Sequence, residues 1–252
     1  MRESSSRTTE SIRWRGGQVT RIEALTDAVF GFAITLLVVS LEVPSTFAEL
    51  MSMMSGFIGF AFSFAIIIMV WSYHYRLFSR YDLEDGWTIV LNSILLFVVL
   101  FYVYPLKFVA SFLQGMVLRT DSNAFTSVEQ VPLVMAVYGG GFVAVFVVFA
   151  LLYSHAWRLR ERLGLTPAEA HAARANVANC LVMVAVGSFS VACALFLPGP
   201  GAAAIAGFSY FLIGPVQWVV GNRMHRLAPS EMPARSAAPV EPAEPKPPIH
   251  TS

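Results

Sequence analysis

The chain has 252 residues, of which 56% are hydrophobic and only 13% are charged, and its net charge is +1. Ordinary soluble domains are less apolar and carry about twice that share of charged residues, so this composition excludes them. The near-zero net charge gives no reason to expect nucleic-acid binding. The sequence indicates an integral membrane protein that has the lipid bilayer as its solvent.

Six apolar runs follow a polar, basic start. Residues 1–20 carry four arginines among Ser, Thr and Glu, and we expect no signal peptide because they lack an apolar core. Each run is long enough to cross a bilayer as a helix, and the runs lie at 24–43, 51–73, 87–106, 131–156, 175–198 and 202–222. Residues 227–252 are rich in Pro, Ala and Glu, which predicts a disordered tail. We therefore predict an all-α membrane protein with six transmembrane helices per subunit over residues 21–226.

The basic residues are distributed unevenly between the two ends of these runs. If both termini share one side, that side collects fifteen Lys and Arg residues, whereas the other side has only Lys107 and Arg119. Loops on the cytoplasmic side of membrane proteins carry the excess of positive charge. The sequence therefore predicts that both termini are cytoplasmic.

Few polar side chains interrupt the apolar runs, and three of them fall at a similar predicted depth. Asp27 lies about a turn inside the first run, His74 ends the second, and Asn92 lies about a turn into the third. Intramembrane polar groups are costly and usually face a partner, so we predict that they meet, with Arg21 as counter-charge to Asp27. In the alternative interpretation, Asp27 caps the first helix and faces the lipid headgroups.

The first helix has two faces. On a helical wheel, four residues lie within about 60° of Phe32, and Asp27 lies about 140° from it. These four residues are Ala28, Thr35, Leu36 and Val39. An apolar stripe with one hydroxyl more often faces lipid or a core than a pore, so the wheel alone does not indicate conduction.

Three motifs, in order along the chain, resemble those of the transmembrane protein 175 family of endolysosomal potassium channels and their bacterial relatives. The stretch RIEALTDAVFGFAITLLVVSLEVP over 21–44 is similar to the family's first-helix signature. WSYHYRLF over 71–78 is similar to the end of its second helix, and NSILL over 92–96 with Pro105 to its third. The motifs cover about the first 110 residues. Later runs agree in number and topology only.

The resemblance implies a potassium-permeable channel in the bacterial plasma (inner) membrane, built as a homotetramer in which each first helix lines the central pore. It places the hydrophobic constriction at Phe32, where family members usually have isoleucine, and the hydroxyl layer at Thr35. Leu36 and Val39 become lower apolar rings. It also implies a polar network that holds the pore helix in its own subunit, formed by Arg21, Thr26, Asp27, Trp71, His74 and Asn92. No cofactor is implied apart from the permeant K⁺.

The sequence has no Thr-Val-Gly-Tyr-Gly filter, and we predict no re-entrant selectivity-filter loop. The nearest candidate, YGGG over 138–141, lies inside the fourth apolar run, where close helix packing is its expected role. Selectivity then depends on an apolar constriction and the Thr35 hydroxyls. The alternative function is a proton-coupled secondary transporter that uses Asp27 and His74 as a relay. An enzyme is disfavoured because no intramembrane carboxylate pair, metal-ligand cluster or Ser/His couple is visible.

Overall fold

The computed structural model describes residues 19–39, 45–118, 130–197 and 202–226. The predicted tail at 227–252 and nearly all of the predicted N-terminal segment at 1–20 lie outside these ranges. Within them all the regular secondary structure is helical. The helices are α1 (Arg21–Val39), α2 (Phe47–Tyr81), α3 (Gly86–Leu118), α4 (Gln130–Arg158), α5 (Pro167–Phe196), α6 (Ala202–Ser209) and α7 (Ile213–Arg226), with a 3-10 turn at Tyr210–Leu212 between the last two.

Four helices are long and apolar enough to cross a membrane: Gly59–Tyr81, Gly86–Leu106, Pro132–Arg158 and Pro167–Phe196. The first and last of the six predicted runs are not among these four helices, and each has a feature that explains this. α1 has only 19 residues and carries Arg21, Glu23 and Asp27 in its first two turns. The last run is interrupted by the 3-10 turn. The fold is therefore all-α and membrane-spanning.

Capping boxes start two of the helices. At α1 the Thr20 amide donates to Glu23 Oε2 at 2.9 Å, and the Glu23 amide donates to Thr20 Oγ1 at 3.2 Å. Thr166 and Glu169 make the same reciprocal pair at the start of α5, where Pro167 occupies the first turn. Each pair satisfies amide donors that a helix N-terminus leaves without a partner.

The stretch YGGG over 138–141 lies inside α4, and its glycines permit close helix contacts. A Cβ atom added at Gly141 would overlap the Tyr102 ring of α3, and one added at Gly139 would overlap Val191 of α5. The Tyr102 hydroxyl also donates to the Tyr138 carbonyl at 3.0 Å. Gly139 and Gly141 therefore have the expected packing role, whereas a Cβ atom added at Gly140 would meet nothing.

The break between α6 and α7 follows from Pro215. Proline has no amide hydrogen, so the carbonyl of residue 211 loses its usual helical donor and the preceding turn tightens into a 3-10 conformation. Two hydroxyls stabilise the segment just before the break. Ser190 of α5 and Ser209 both donate to the Ala206 carbonyl, at 2.8 and 2.6 Å. The segment from α6 to α7 thereby remains attached to α5.

Candidate functional site

One stripe of α1 packs into the subunit. Thr26, Phe30, Ala33 and Leu37 are each at most 3% exposed. Their spacing of four, three and four residues puts them on one side of a helix. Both α2 and α3 contact α1, and the two helices supply the surface that covers this stripe.

The opposite side of α1 is uncovered in the isolated subunit. Counted from Thr26, Thr35 lies at about 180°, Ala28 at about 200° and Phe32 at about 240° around the helix. All three are exposed, and Phe32 is 65% exposed. Most of the predicted pore face therefore points away from the subunit's own core.

Two members of the predicted face differ from the others. Leu36 is only partly buried and packs against the edge of the core. It is therefore at the border of the exposed face and not at its centre. The side chain of Val39 lies outside the described part of the structure, so its place in the lower ring stays a prediction.

The Thr35 hydroxyl has its hydrogen engaged within α1. Oγ1 of Thr35 donates to the carbonyl oxygen of Gly31 at 2.9 Å. A hydroxyl has one donor hydrogen and two acceptor lone pairs, so this bond leaves the oxygen able to accept. On the exposed face, such an oxygen can bind a cation or the hydrogen of a water molecule.

A buried chain of hydrogen bonds joins α1, α2 and α3. The Asn92 amide nitrogen donates to Thr26 Oγ1 at 2.8 Å, and Asn92 Oδ1 lies 3.0 Å from His74 Nε2. Since the amide nitrogen is used on Thr26, the amide oxygen accepts from a protonated Nε2 of His74. The three side chains are 0 to 3% exposed. The bond from Asn92 to Thr26 fixes α1 to α3, and the bond from His74 to Asn92 fixes α2 to α3.

Aromatic rings enclose the imidazole of this chain. The His74 ring stacks on Phe78 with 4.2 Å between centroids, and Phe30 of the buried α1 stripe lies 6.4 Å from it. The imidazole plane is thereby held in the orientation that its hydrogen bond to Asn92 requires.

Asp27 bonds to Trp71, a member of the polar network that the resemblance implies, and not to Arg21, its predicted counter-charge. Trp71 Nε1 donates to Asp27 Oδ1 at 2.8 Å, and this bond ties the exposed flank of α1 to α2. Arg21 is exposed at the first residue of α1, and it pairs with no carboxylate among the residues that the structure describes. Six residues along a helix separate Arg21 from Asp27 by about 9 Å and about 240°. The carboxylate therefore bonds to an indole and not to the expected guanidinium.

A second polar cluster, at the start of α3, has no counterpart in the sequence analysis. His155 Nε2 of α4 lies 2.9 Å from Asp85 Oδ2, and Asp85 also accepts from the Trp87 amide and the Thr88 hydroxyl. Burial raises the pKa of Asp85, but these hydrogen bonds and the His155 charge outweigh it and leave that pKa below its usual value. The pattern of an Asp before Gly86 at a helix start signals a cap. The partner on α4 has no local sequence signal.

No metal site adds to this polar chemistry in the described ranges. They contain no group of three or more His, Cys, Asp and Glu side chains placed to hold a metal ion. The chemistry of the site is therefore that of one uncovered helix face and of the hydrogen bonds behind it.

Comparisons with known proteins identify the family of this chain. Residues 21–102 match the family model described as endosomal/lysosomal potassium channel TMEM175. A protein of Marivirga tractuosa named potassium channel is 41% identical over 219 residues, which are 83% of this chain and 89% of that protein. The chain belongs to the TMEM175 family. The resemblance inferred from the α1, α2 and α3 motifs is thus confirmed, and the family is one of channels, not of enzymes.

Other members of the TMEM175 family extend the match. A potassium channel of Chamaesiphon minutus is 32% identical over 159 residues, 60% of this chain and 71% of that protein. The fold is similar to the crystal structure of a threonine-to-alanine variant of the potassium channel MtTMEM175, solved with a nanobody–MBP fusion protein. The TM-score is 0.78 at 39% identity, over 86% of this chain and 98% of that chain.

Proposed function

We propose that this chain is the subunit of a potassium-permeable channel in the plasma (inner) membrane of a bacterium. Four copies assemble around an axis, and α1 of each copy lines the pore. One observation carries this proposal: α1 buries the Thr26 side in its own subunit and leaves Phe32 and Thr35 uncovered. The relatives that bear the name potassium channel support it.

In the proposed topology, α1 and the joined α6–α7 segment complete six spans with the four longer helices, and both termini are cytoplasmic. The 19 residues of α1 give a helix of about 28 Å, close to the thickness of the hydrocarbon core. With alternating directions, the arginines that end α2, α4 and α7 share one side with the start of α1. These arginines are Arg80, Arg158 and Arg226. Positive charge on that side supports its cytoplasmic placement.

In the assembled pore, the Phe32 rings would form an apolar constriction, with the Thr35 oxygens about one turn further along. An ion that passes a dry constriction loses part of its hydration shell, and K⁺ loses water at a lower energetic cost than Na⁺. The Thr35 oxygen would compensate for some of the lost water because its hydrogen is bound to Gly31. Asp27 would act structurally, since Trp71 holds its carboxylate.

Bi-ionic K⁺/Na⁺ recording in planar bilayers tests this proposal. We expect Phe32→Ile to raise the single-channel conductance, because a smaller side chain widens the constriction. Phe97→Ile is the matched control, since Phe97 is 71% exposed but lies on α3. Unchanged conductance in Phe32→Ile, or an equal change in Phe97→Ile, would contradict the placement of Phe32.

The hydroxyl layer has an equally close control. Ser93 on α3 is exposed, and its hydroxyl donates to the Ile89 carbonyl at 2.8 Å, the same contact that Thr35 makes to Gly31. We expect Thr35→Ala to lower the K⁺/Na⁺ permeability ratio severalfold, and Ser93→Ala to leave it unchanged. Equal ratios in both variants would remove Thr35 from the permeation path. The mass of the detergent-solubilised complex tests the tetramer.

The alternative function is a proton-coupled secondary transporter with Asp27 and His74 as its relay. Measurements of proton uptake into proteoliposomes test it. The two groups bond to different partners, Trp71 and Asn92, and no hydrogen bond joins them in the described structure. A channel passes K⁺ down its gradient with no proton bound or released in the transport step, so at a clamped membrane potential it causes no proton uptake. Proton uptake that depends on a transported substrate and is lost in Asp27→Asn would favour the transporter.

A further inference from the structure

Two arginines share one indole at the turn between α4 and α5. The guanidinium carbon of Arg160 lies 4.7 Å from the ring centroid of Trp157, and that of Arg174 lies 5.5 Å from it. The two guanidinium carbons are therefore within about 10 Å of each other. Stacking on an aromatic face fixes the plane of a guanidinium and leaves its edge accessible. Arg160 donates from Nη1 to the Trp157 carbonyl at 3.2 Å and from Nη2 to Glu161, and its other N–H groups remain for an anion.

The backbone that presents these side chains is ordered by its own hydrogen bonds. The Leu165 amide donates to the Arg160 carbonyl at 2.8 Å, and the Gly164 amide donates to the Glu161 carbonyl at 3.1 Å. With Gly164 at φ +58°, these two bonds form a Schellman motif. The capping box of Thr166 then starts α5 at once. Arg160 thus extends from a rigid turn and Arg174 from α5, and this preorganisation lowers the entropic cost of binding.

Positive charge exceeds negative charge around Trp157. Arg158 and Arg162 are also exposed within the turn. Three acidic residues lie near this turn. Asp85 is held by His155, and Glu169 is 4% exposed and accepts the Thr166 amide at 2.9 Å. Glu161 lies 3.2 Å from Arg160, but its side chain is 87% exposed, and such a surface pair contributes little. An incoming anion can therefore replace Glu161.

We propose that Arg160, Arg174 and Trp157 bind the phosphate of an anionic phospholipid headgroup. Arginine forms paired, charge-assisted hydrogen bonds with phosphate oxygens. The apolar span of α4 ends at Arg158, so Trp157 lies at the depth where tryptophans meet lipid headgroups. This depth selects a lipid phosphate over a phosphate in solution. The site goes beyond conduction and does not depend on the pore.

Native mass spectrometry of the full-length protein in neutral detergent tests the site. The protein is titrated with dioleoyl phosphatidylglycerol or with dioleoyl phosphatidylcholine, which carries a zwitterionic headgroup. We expect tighter binding of phosphatidylglycerol and a loss of about tenfold in its affinity in the double variant Arg160→Gln/Arg174→Gln. The matched control is Arg158→Gln/Arg162→Gln, which removes the same charge and keeps both Arg–Trp pairs. It should lose about threefold or less.

Three results would overturn the proposal. An equal loss in both double variants would mean that diffuse charge attracts the lipid and that the Arg–Trp pairs add nothing. Equal affinity for the two lipids in the wild-type protein would exclude recognition of the anionic headgroup. Displacement of phosphatidylglycerol by millimolar inorganic phosphate would assign the site to a soluble phosphate. Size-exclusion profiles of both double variants, matched to the wild type, establish that the comparison is between folded proteins.

Discussion

The hydrogen-bonded chain of Thr26, Asn92 and His74 predicts a large effect from one substitution. Asn92→Ala removes both bonds of the amide and leaves the Thr26 hydroxyl and the His74 imidazole without this partner. Both groups are at most 1% exposed, so water does not replace the amide. A buried polar group that loses its partner costs more free energy than the net value of the bond itself.

The magnitude follows from the two bonds. Hydrogen bonds between membrane helices contribute about 0.6 to 2 kcal/mol each, and an unsatisfied buried group costs about 1 to 3 kcal/mol. We therefore expect Asn92→Ala to lower the free energy of unfolding by about 2 to 4 kcal/mol. Ser93→Ala is the control: it changes the adjacent residue, which is exposed and bonds within its own helix. It should change the free energy by less than about 0.5 kcal/mol.

Reversible unfolding of the purified protein in mixed SDS and neutral-detergent micelles measures both values. A second comparison separates lost hydrogen bonds from lost volume. Asn92→Leu leaves two buried polar groups unpaired, whereas Thr26→Val/Asn92→Leu leaves only His74, so the double variant should be the more stable. If Asn92→Ala and Ser93→Ala are equally stable, or the double variant is the less stable, then the buried chain does not hold α1 as argued.

Two further predictions concern α4 and the start of α3. Gly141→Ala should destabilise the protein by about 1 to 3 kcal/mol, because the added Cβ atom would overlap Tyr102. Gly140→Ala, whose Cβ atom would meet nothing, should be neutral or stabilising in the same unfolding assay. Equal effects of the two substitutions would contradict the close approach of Tyr102 to Gly141. Asp85→Asn should lower the free energy of unfolding by about 1 kcal/mol at pH 7. Because hydrogen bonds from Thr88 and His155 lower the pKa of Asp85 in the fold, this difference should vanish as the pH falls through that pKa. A difference that persists in acid would show that the ionised carboxylate is not what stabilises the fold here.

Much of the helical framework could be predicted because one physical constraint determines it. A chain in a bilayer must satisfy its backbone within helices, so each apolar run of about 20 residues predicts a helix. The ends were harder to predict. The second apolar run spans 51–73, yet α2 continues to Tyr81. Its last two turns contain polar residues such as Arg76 and Arg80, which are helical but are not part of the apolar run. Hydropathy locates the lipid-facing length of a helix and not its hydrogen-bonded end.

The candidate site shows a similar division. Periodicity within α1 predicted which of its residues share a face, and Phe32 and Thr35 are indeed exposed together. Periodicity alone did not indicate the partner of Asp27. That partner is Trp71, which the resemblance placed in the same polar network, and not Arg21, the predicted counter-charge. A helical wheel gives angles around one helix, whereas a partner on another helix depends on crossing angle and register. For the same reason, the contact between Asp85 and His155 could not be anticipated from the sequence.

The buried chain also determines which way the exposed face of α1 points. Lipid tails are as apolar as Phe30 or Leu37, so burial alone hardly distinguishes one rotation of α1 from another in a bilayer. The bond from Asn92 to Thr26 does distinguish them, because a shift of one residue turns the helix by about 100° and removes the hydroxyl from reach. Variants that break this bond should therefore alter ion permeation as well as stability, although the buried chain lies on the side of α1 opposite Thr35. Permeation that stays normal in a folded but destabilised Asn92→Ala channel would show that the orientation of Phe32 is set by contacts between subunits instead.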